Sequence, residues 1–195
     1  MQREEILSVL GESGALLSGH FKLSSGRHAD SYLQCAQVQQ HPERLAPLCA
    51  ALADKWREEN VTVVVGPAMG GIVLAYELAR QLDARGIFME RSDDGSFAFR
   101  RGFRIEADDR ILVAEDVVTT GKSVKEVLAK LDAEKADVVG VASLVCRDVA
   151  VDFGVAYRYL IDFDLPSWEP QACPLCRQGV PVTKPGSRPE EESAA

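Results

Sequence analysis

The run Ile111-Leu-Val-Ala-Glu-Asp-Val-Val-Thr-Thr-Gly-Lys-Ser123 constrains this chain more than any other stretch. Four apolar residues read as the end of a buried strand, and two adjacent carboxylates follow directly. In an open parallel sheet, ligands bind just beyond the carboxyl ends of the strands, which is where Glu115 and Asp116 are expected to stand. Thr119, Thr120, Gly121, Lys122 and Ser123 come next, ahead of a helix whose inner face is marked by Val124, Val127, Leu128 and Leu131. Hydroxyls, a flexible glycine and backbone N–H groups at a helix start make an anion site suited to phosphate. A molecule that offers hydroxyls or a bound cation to the carboxylates, and a phosphate to the turn, is a ribose phosphate. A capped helix behind a solvated acidic turn explains less, because a cap needs only one hydroxyl residue. A nucleotide-binding P-loop is rejected: it requires glycine five positions before Gly121, and position 116 is Asp.

The rest of the chain alternates strand and helix signals. Leu45, Leu48, Cys49, Leu52 and Trp56 keep helical spacing behind Pro42, and Val61 to Val65 reads as a buried strand ending in Gly66-Pro67. A helical pattern follows from Gly70 to Leu82, then a strand from Gly86 to Met89. The polar stretch Arg91 to Ser96 is expected to be a mobile loop, with a short apolar segment, Phe103 to Ile105, beyond it. Val138 to Val145 and Val155 to Ile161 supply two more strands. This alternation predicts an α/β fold with a mostly parallel central sheet flanked by helices. The first forty residues fall outside it and are expected to form a small N-terminal hood. Residues 1–183 then make one domain, hood and C-terminal segment included. The tail 184–195, rich in Pro, Gly, Ser and Glu, is expected to be disordered.

Composition removes several classes of function. No apolar run approaches the ~18–20 residues that span a bilayer, so no membrane is expected as partner. The N-terminus carries Glu4 and Glu5 where a signal peptide would carry positive charge, which predicts a cytoplasmic chain. A net charge of −8 argues against nucleic acid. Five cysteines, an odd number, read as thiols rather than a disulfide framework. Cys173 and Cys176 form one C-x-x-C unit with no second pair, and His20, His28 and His41 could join it only by folding back. The pair is expected to be a reduced structural turn, and no protein metal site is expected.

The 111–123 stretch resembles the phosphoribosyl-diphosphate signature of type I phosphoribosyltransferases. Further segments resemble the orotate-specific branch of that family. Phe21-Lys-Leu-Ser-Ser-Gly-Arg-His-Ala-Asp-Ser-Tyr32 is similar to its base-binding segment, and Val65-Gly-Pro-Ala-Met-Gly-Gly71 to its diphosphate loop. Leu144-Val-Cys-Arg147 sits where such enzymes place an arginine on orotate. The resemblance implies the type I fold, with Glu115 and Asp116 on the ribose hydroxyls. It also implies that Val117, Val118, Thr119, Thr120, Gly121, Lys122 and Ser123 wrap the 5-phosphate. Ala68, Met69, Gly70, Gly71 and Arg91 would bind the rest of phosphoribosyl diphosphate. Orotate would meet Ser25, Gly26, Arg27, Thr119 and Arg147, since a guanidinium grips its carboxylate bidentately. The implied reaction forms orotidine 5'-phosphate and diphosphate, with Mg²⁺ carried by the substrate and a homodimer sharing its active sites.

Two features depart from the family pattern. Many members have lysine where this chain has Ser24 and Gly70, and their mobile loop supplies a lysine to the diphosphate. Between Glu90 and Arg110 this chain has none, but it has Arg91, Arg100, Arg101 and Arg104. Arg100 and Arg101 are therefore the expected catalytic cations. Two other functions compete: a purine-base phosphoribosyltransferase, and a non-catalytic sensor of phosphoribosyl diphosphate that binds nucleic acid. The acidic charge disfavours the sensor.

Overall fold

The structure is a computed structural model that describes residues 1–185 except Ser24, Asp148 and Asp164; of the expected tail, 186–195 lies outside the described residues. In chain order the elements are α1 (Arg3–Glu12), β1 (Leu16–Lys22), β2 (His28–Leu33), α2 (Ala36–Gln39) and α3 (Pro42–Ala53). Next come β3 (Val63–Pro67), α4 (Gly71–Leu82), β4 (Arg85–Arg91), β5 (Phe97–Phe99), β6 (Arg110–Val118) and α5 (Lys122–Ala133). β7 (Asp137–Cys146), β8 (Tyr157–Asp162), β9 (Ser167–Trp168) and α6 (Pro174–Arg177) complete the described chain.

A six-stranded sheet runs in the order β5-β4-β3-β6-β7-β8. Every neighbouring pair is parallel except β4 with β5, so the expected mostly parallel sheet is present. Its central strands are apolar on both faces because helices cover both. Leu112 and Ala114 of β6 join Leu48, Leu52, Leu74 and Leu78 on one side. Ile111 and Val113 join Val124, Val127 and Leu131 on the other.

Four local expectations need correction. The stretch Arg91 to Ser96 is not an open loop but the tight connection of a β4–β5 hairpin, closed by Ser92 donating to the Ser96 carbonyl at 2.8 Å. Phe103 and Ile105 lie outside any strand and pack half-buried against the second core face, while the antiparallel partner of β4 is Phe97–Phe99. Trp56 lies beyond the end of α3, yet it is fully buried, and a Cβ on Gly140 would come within 2.3 Å of its ring. Glu115 and Asp116 lie within β6, which runs on to Val118.

The hood is an antiparallel sheet, β1-β2-β9, that draws its third strand from the far end of the chain. It shares the main core: Ile6, Leu10, Leu33 and Val38 pack in the same cluster as Leu112 and Ala142.

Candidate active site

Strand order locates the site before any side chain is considered. From β3 the chain builds outward through β4 and β5; from β6 it builds the opposite way through β7 and β8. The switch between β3 and β6 is where an open α/β sheet leaves a crevice at its carboxyl edge. Register opens that crevice further. β3 pairs with β6 only from Val63–Ile111 to Val65–Val113, whereas Gly66 and Pro67 pair only with β4. Two loops face the gap, one after β3 and one after β6.

The loop after β3 holds Ala68, Met69 and Gly70, with a cis Ala68–Met69 peptide and Met69 exposed. The start of α4 then presses on the sheet so closely that a Cβ on Gly66 would stand 2.3 Å from the Gly71 carbonyl oxygen. Gly71 itself is buried against the Ala114 carbonyl. These glycines let the loop and the end of β6 share one small space.

Glu115 and Asp116 stand in that space. Asp116 Oδ1 accepts the Val117 N–H at 2.8 Å, and a Cβ on Gly70 would lie 3.1 Å from both Asp116 oxygens. Burial, then the Asp116 charge beside it, pushes Glu115 well above the usual carboxylate range. Burial raises Asp116 as well, opposed by the Val117 N–H and other hydrogen bonds. Two desolvated carboxylates side by side hold negative charge that calls for hydroxyl donors or a cation.

Beyond Val118 the chain turns through exposed Thr119 and Thr120 to Gly121, whose φ of +70° is the left-handed conformation suited to glycine. α5 begins at Lys122, and its first N–H groups, which have no acceptor within the helix, point at the same crevice as the helix dipole. Ser123 is half-buried there; Lys122 is exposed, 3.9 Å from Glu126. Arg91 reaches the same helix, 2.7 Å from Glu126, with its guanidinium over the Phe97 ring.

Arg147 follows β7 and donates its N–H to the Val118 carbonyl at 2.8 Å, which sets it beside the phosphate turn. Its charge is also felt at Tyr32, where it opposes the upward push of burial and of Asp116. Tyr32 of β2 is therefore within electrostatic reach of both Asp116 and Arg147. Cys35 is pushed well up by burial and then by Asp116 and Glu115. Gln39 of α2 donates to the Gly70 carbonyl at 3.2 Å and to Asp116 Oδ2 at 3.4 Å. The hood thus closes the crevice from above. Gln39 and Cys35 were not anticipated from the sequence: neither lies in a motif, and only tertiary packing brings α2 to β6. Tyr32 had a signal, as the aromatic end of the base-binding segment.

Other anticipated residues have local partners of their own. Arg27 is tied to the C-terminal segment: Nε donates to Ser167 Oγ at 3.0 Å, Nη2 to the Ser167 carbonyl at 2.5 Å, and Nη1 meets Glu169 at 2.5 Å. Ser25 and Gly26 form the turn ahead of it, Gly26 donating to the Leu23 carbonyl. Arg101 pairs with Glu90 at 2.7 Å, and Arg100 is exposed with its carbonyl accepting the Phe103 N–H.

Residues 34–159 match the phosphoribosyl transferase domain family. Over 189 residues the chain is 48% identical to an orotate phosphoribosyltransferase of Pelotomaculum thermopropionicum, covering 96% of this chain and 99% of that one. It is 49% identical over 187 residues to that of Carboxydothermus hydrogenoformans, covering 94% and 97%. Among solved structures it is similar to the orotate phosphoribosyltransferase of Aeropyrum pernix, with a TM-score of 0.65, 24% identity, and coverage of 80% of this chain and 93% of that one.

Proposed function

Because this chain belongs to the phosphoribosyl transferase family, we propose that it transfers the 5-phosphoribosyl group of 5-phospho-α-D-ribose 1-diphosphate to N1 of orotate. The bond from C1 of the ribose to the diphosphate oxygen breaks, the bond from C1 to N1 forms as the N1 proton is lost to solvent, and diphosphate leaves. This is a step of pyrimidine nucleotide synthesis. The observation that carries the reading is the juxtaposition of the Glu115–Asp116 pair with the Gly121 turn at the β3–β6 switch point.

The protein contributes positioning and charge rather than covalent chemistry. Glu115 and Asp116 accept the ribose hydroxyls and stay close to the carbon that becomes cationic as the diphosphate departs. Thr119 to Ser123, with the first N–H groups of α5, hold the 5-phosphate, and Arg91 adds charge beside them. The loop from Ala68 to Gly71 receives the diphosphate end. Arg147 and Tyr32 face the base, and Arg147 grips the orotate carboxylate.

The acidic pair fits a substrate that arrives with its own cation. Only one three- or four-membered group of metal-ligating side chains occurs among the described residues, and it excludes Glu115 and Asp116. Mg²⁺ prefers oxygen ligands and keeps several waters, so it would be carried by the substrate beside Glu115 and Asp116 and would supply positive charge for the leaving group.

The working form is a homodimer. Met69 in the loop before α4, and Val73 and Tyr76 on α4, stand exposed, an apolar stripe that a second copy covers beside the diphosphate loop. The setting is cytoplasmic. No helix among the described residues is long and apolar enough to cross a membrane, and buried thiols such as Cys35, Cys49 and Cys146 suit a reducing compartment.

The test is a panel of orotate, uracil, hypoxanthine, xanthine and adenine, each with phosphoribosyl diphosphate and Mg²⁺. Orotate alone is expected to be consumed. Comparable consumption of a purine overturns the assignment.

A further inference from the structure

Four ligand atoms from opposite ends of the chain converge in the hood. His20 on β1 and His28 on β2 are both buried, and the hairpin brings them together by pairing Lys22 with His28. Cys173 is buried at the start of α6, and Cys176 lies within that helix at the surface. His20 Nε2 is 2.9 Å from His28 Nδ1, 3.4 Å from Cys173 Sγ and 3.8 Å from Cys176 Sγ. Cys176 Sγ is 3.2 Å from His28 Nδ1, and all four atoms lie within 4.8 Å of one another.

Those spacings match a tetrahedral ion. Bonds of about 2.0–2.1 Å to nitrogen and 2.3 Å to sulfur give edges of about 3.3 Å between nitrogens, 3.6 Å from nitrogen to sulfur and 3.8 Å between sulfurs. The three nitrogen–sulfur distances straddle the second of these, and the nitrogen pair is closer by a few tenths of an ångström. The tautomer is set as well. His20 Nδ1 is 2.7 Å from the Val180 carbonyl, which can only accept, so Nδ1 carries the proton and Nε2 turns its lone pair to the cluster. A partner on the far ring nitrogen is the usual support of a metal-bound histidine. Hydrogen bonding alone serves the cluster poorly, because one Nε2 lone pair faces three heteroatoms.

We propose that His20, His28, Cys173 and Cys176 bind one Zn²⁺ as a closed structural site. Two thiolates and two imidazoles in tetrahedral array suit zinc, and two thiolates balance its charge. All four positions come from protein, which leaves none for a reacting water. The ion replaces the two thiol protons, which pass to solvent.

The site fastens a C-terminal strap to the hood. His20 and Cys173 are 153 residues apart in sequence. Near the site Thr183 donates to the His20 carbonyl and its own carbonyl accepts the Lys22 N–H, each at 2.8 Å. α6 is only four residues long, too short to hold itself by packing. β2, which starts at His28, carries Tyr32 at its other end, so the ion steadies the roof of the crevice without touching substrate.

The experiment is metal analysis of the untagged chain, purified under reductant with neither metal nor chelator added. About one zinc per chain is expected, falling below about a tenth in Cys176→Ser and His28→Gln, while His41→Gln keeps its metal. A strong chelator should lower the Tm of the unmutated protein, and Zn²⁺ but not Mg²⁺ should restore it; this arm stands even if a variant fails to fold. Cobalt loading should give the visible bands of a tetrahedral site with thiolate charge transfer. Protein that is isolated without zinc and stays empty when dialysed against Zn²⁺ under reductant overturns the proposal. So does iron in its place, a Cys173–Cys176 disulfide, or undiminished zinc in Cys176→Ser.

Discussion

Phe153 occupies the space that any side chain on Gly121 would need: a Cβ there would come within 2.7 Å of its ring and 2.8 Å of Val151. The segment after β7 thus roofs the phosphate turn, and the turn keeps its shape because residue 121 has no side chain. Gly121→Ala meets two obstacles, a left-handed φ that costs about 1–2 kcal/mol for an L-residue and this clash. The variant is expected to melt lower and to show a KM for phosphoribosyl diphosphate raised roughly tenfold or more, the factor that 1.4 kcal/mol represents. An unchanged KM would mean that the turn does not hold the phosphate.

Glu115 offers a trade between stability and activity. Its pKa in the fold lies well above the ordinary 4.5, so the folded state binds the proton more tightly than the unfolded chain. The resulting penalty is absent at low pH, grows as pH rises through 4.5 toward the folded value, and is full above it. Glu115→Gln removes the penalty, so its Tm at pH 7–8 should exceed that of the parent by about 2–4 °C for each kcal/mol relieved. The gain should vanish as pH falls toward 4.5. The same variant should lose about 1.5–3 kcal/mol of ribose contact, roughly 10- to 150-fold in kcat/KM. In the parent, kcat/KM should fall on the acid side at a pH above the ordinary carboxylate range, as the pair takes up a proton.

Arg147 and Arg27 separate a base contact from a structural one. Arg147→Ala should weaken orotate by about 1.5–3 kcal/mol while phosphoribosyl diphosphate binds almost as before. Arg27→Ala should lower the Tm, because three contacts to Ser167 and Glu169 are lost, and should raise the orotate KM less than Arg147→Ala does. Calorimetric titration of each ligand, with a melting curve for each variant, decides between these roles.

Arg101 is engaged by Glu90 and lies near the Phe88 ring, so the proposed role of a loop arginine at the departing diphosphate is tested first at Arg100. Arg100→Ala should lower kcat by about 10²–10³-fold with little change in KM. Arg101→Ala should cost less than tenfold. Near-normal kcat in both variants would make these arginines surface charge.

Apart from β5, in whose place the sequence offers the apolar segment Phe103 to Ile105, the strands and helices from Pro42 to Asp162 are legible in the sequence because each is a local pattern: a short β-branched run, or an apolar face at helical spacing. The carboxylates and the phosphate turn are legible for the same reason, as one unbroken stretch from Ile111 to Ser123. The hairpin at Arg91–Ser96 is missed because Asp93, Asp94 and Gly95 carry loop composition and turn composition alike. Gln39 is missed because its role depends on where α2 lands, 77 residues from Asp116 in the chain. The two histidines beside Cys173 and Cys176 are named in the sequence only as candidates alongside His41, since no local period links residues so far apart. Folding back, the condition on which they could join the cysteines, is what the hood does.

The pairing of β2 with β9, His28 opposite Trp168 and Ala29 opposite Ser167, sets a timetable for synthesis. Arg27 leaves the ribosome 140 residues ahead of Ser167. At 5–20 residues per second the first hairpin waits roughly 7–28 s for its third strand. During that interval the outer edge of β2 is unpaired and open to a neighbouring nascent chain. The central sheet can close before then, but the roof over its crevice cannot. The closed roof therefore arrives only with the segment that carries Ser167, and a polypeptide cut short before it would hold the phosphate turn under an unfinished hood.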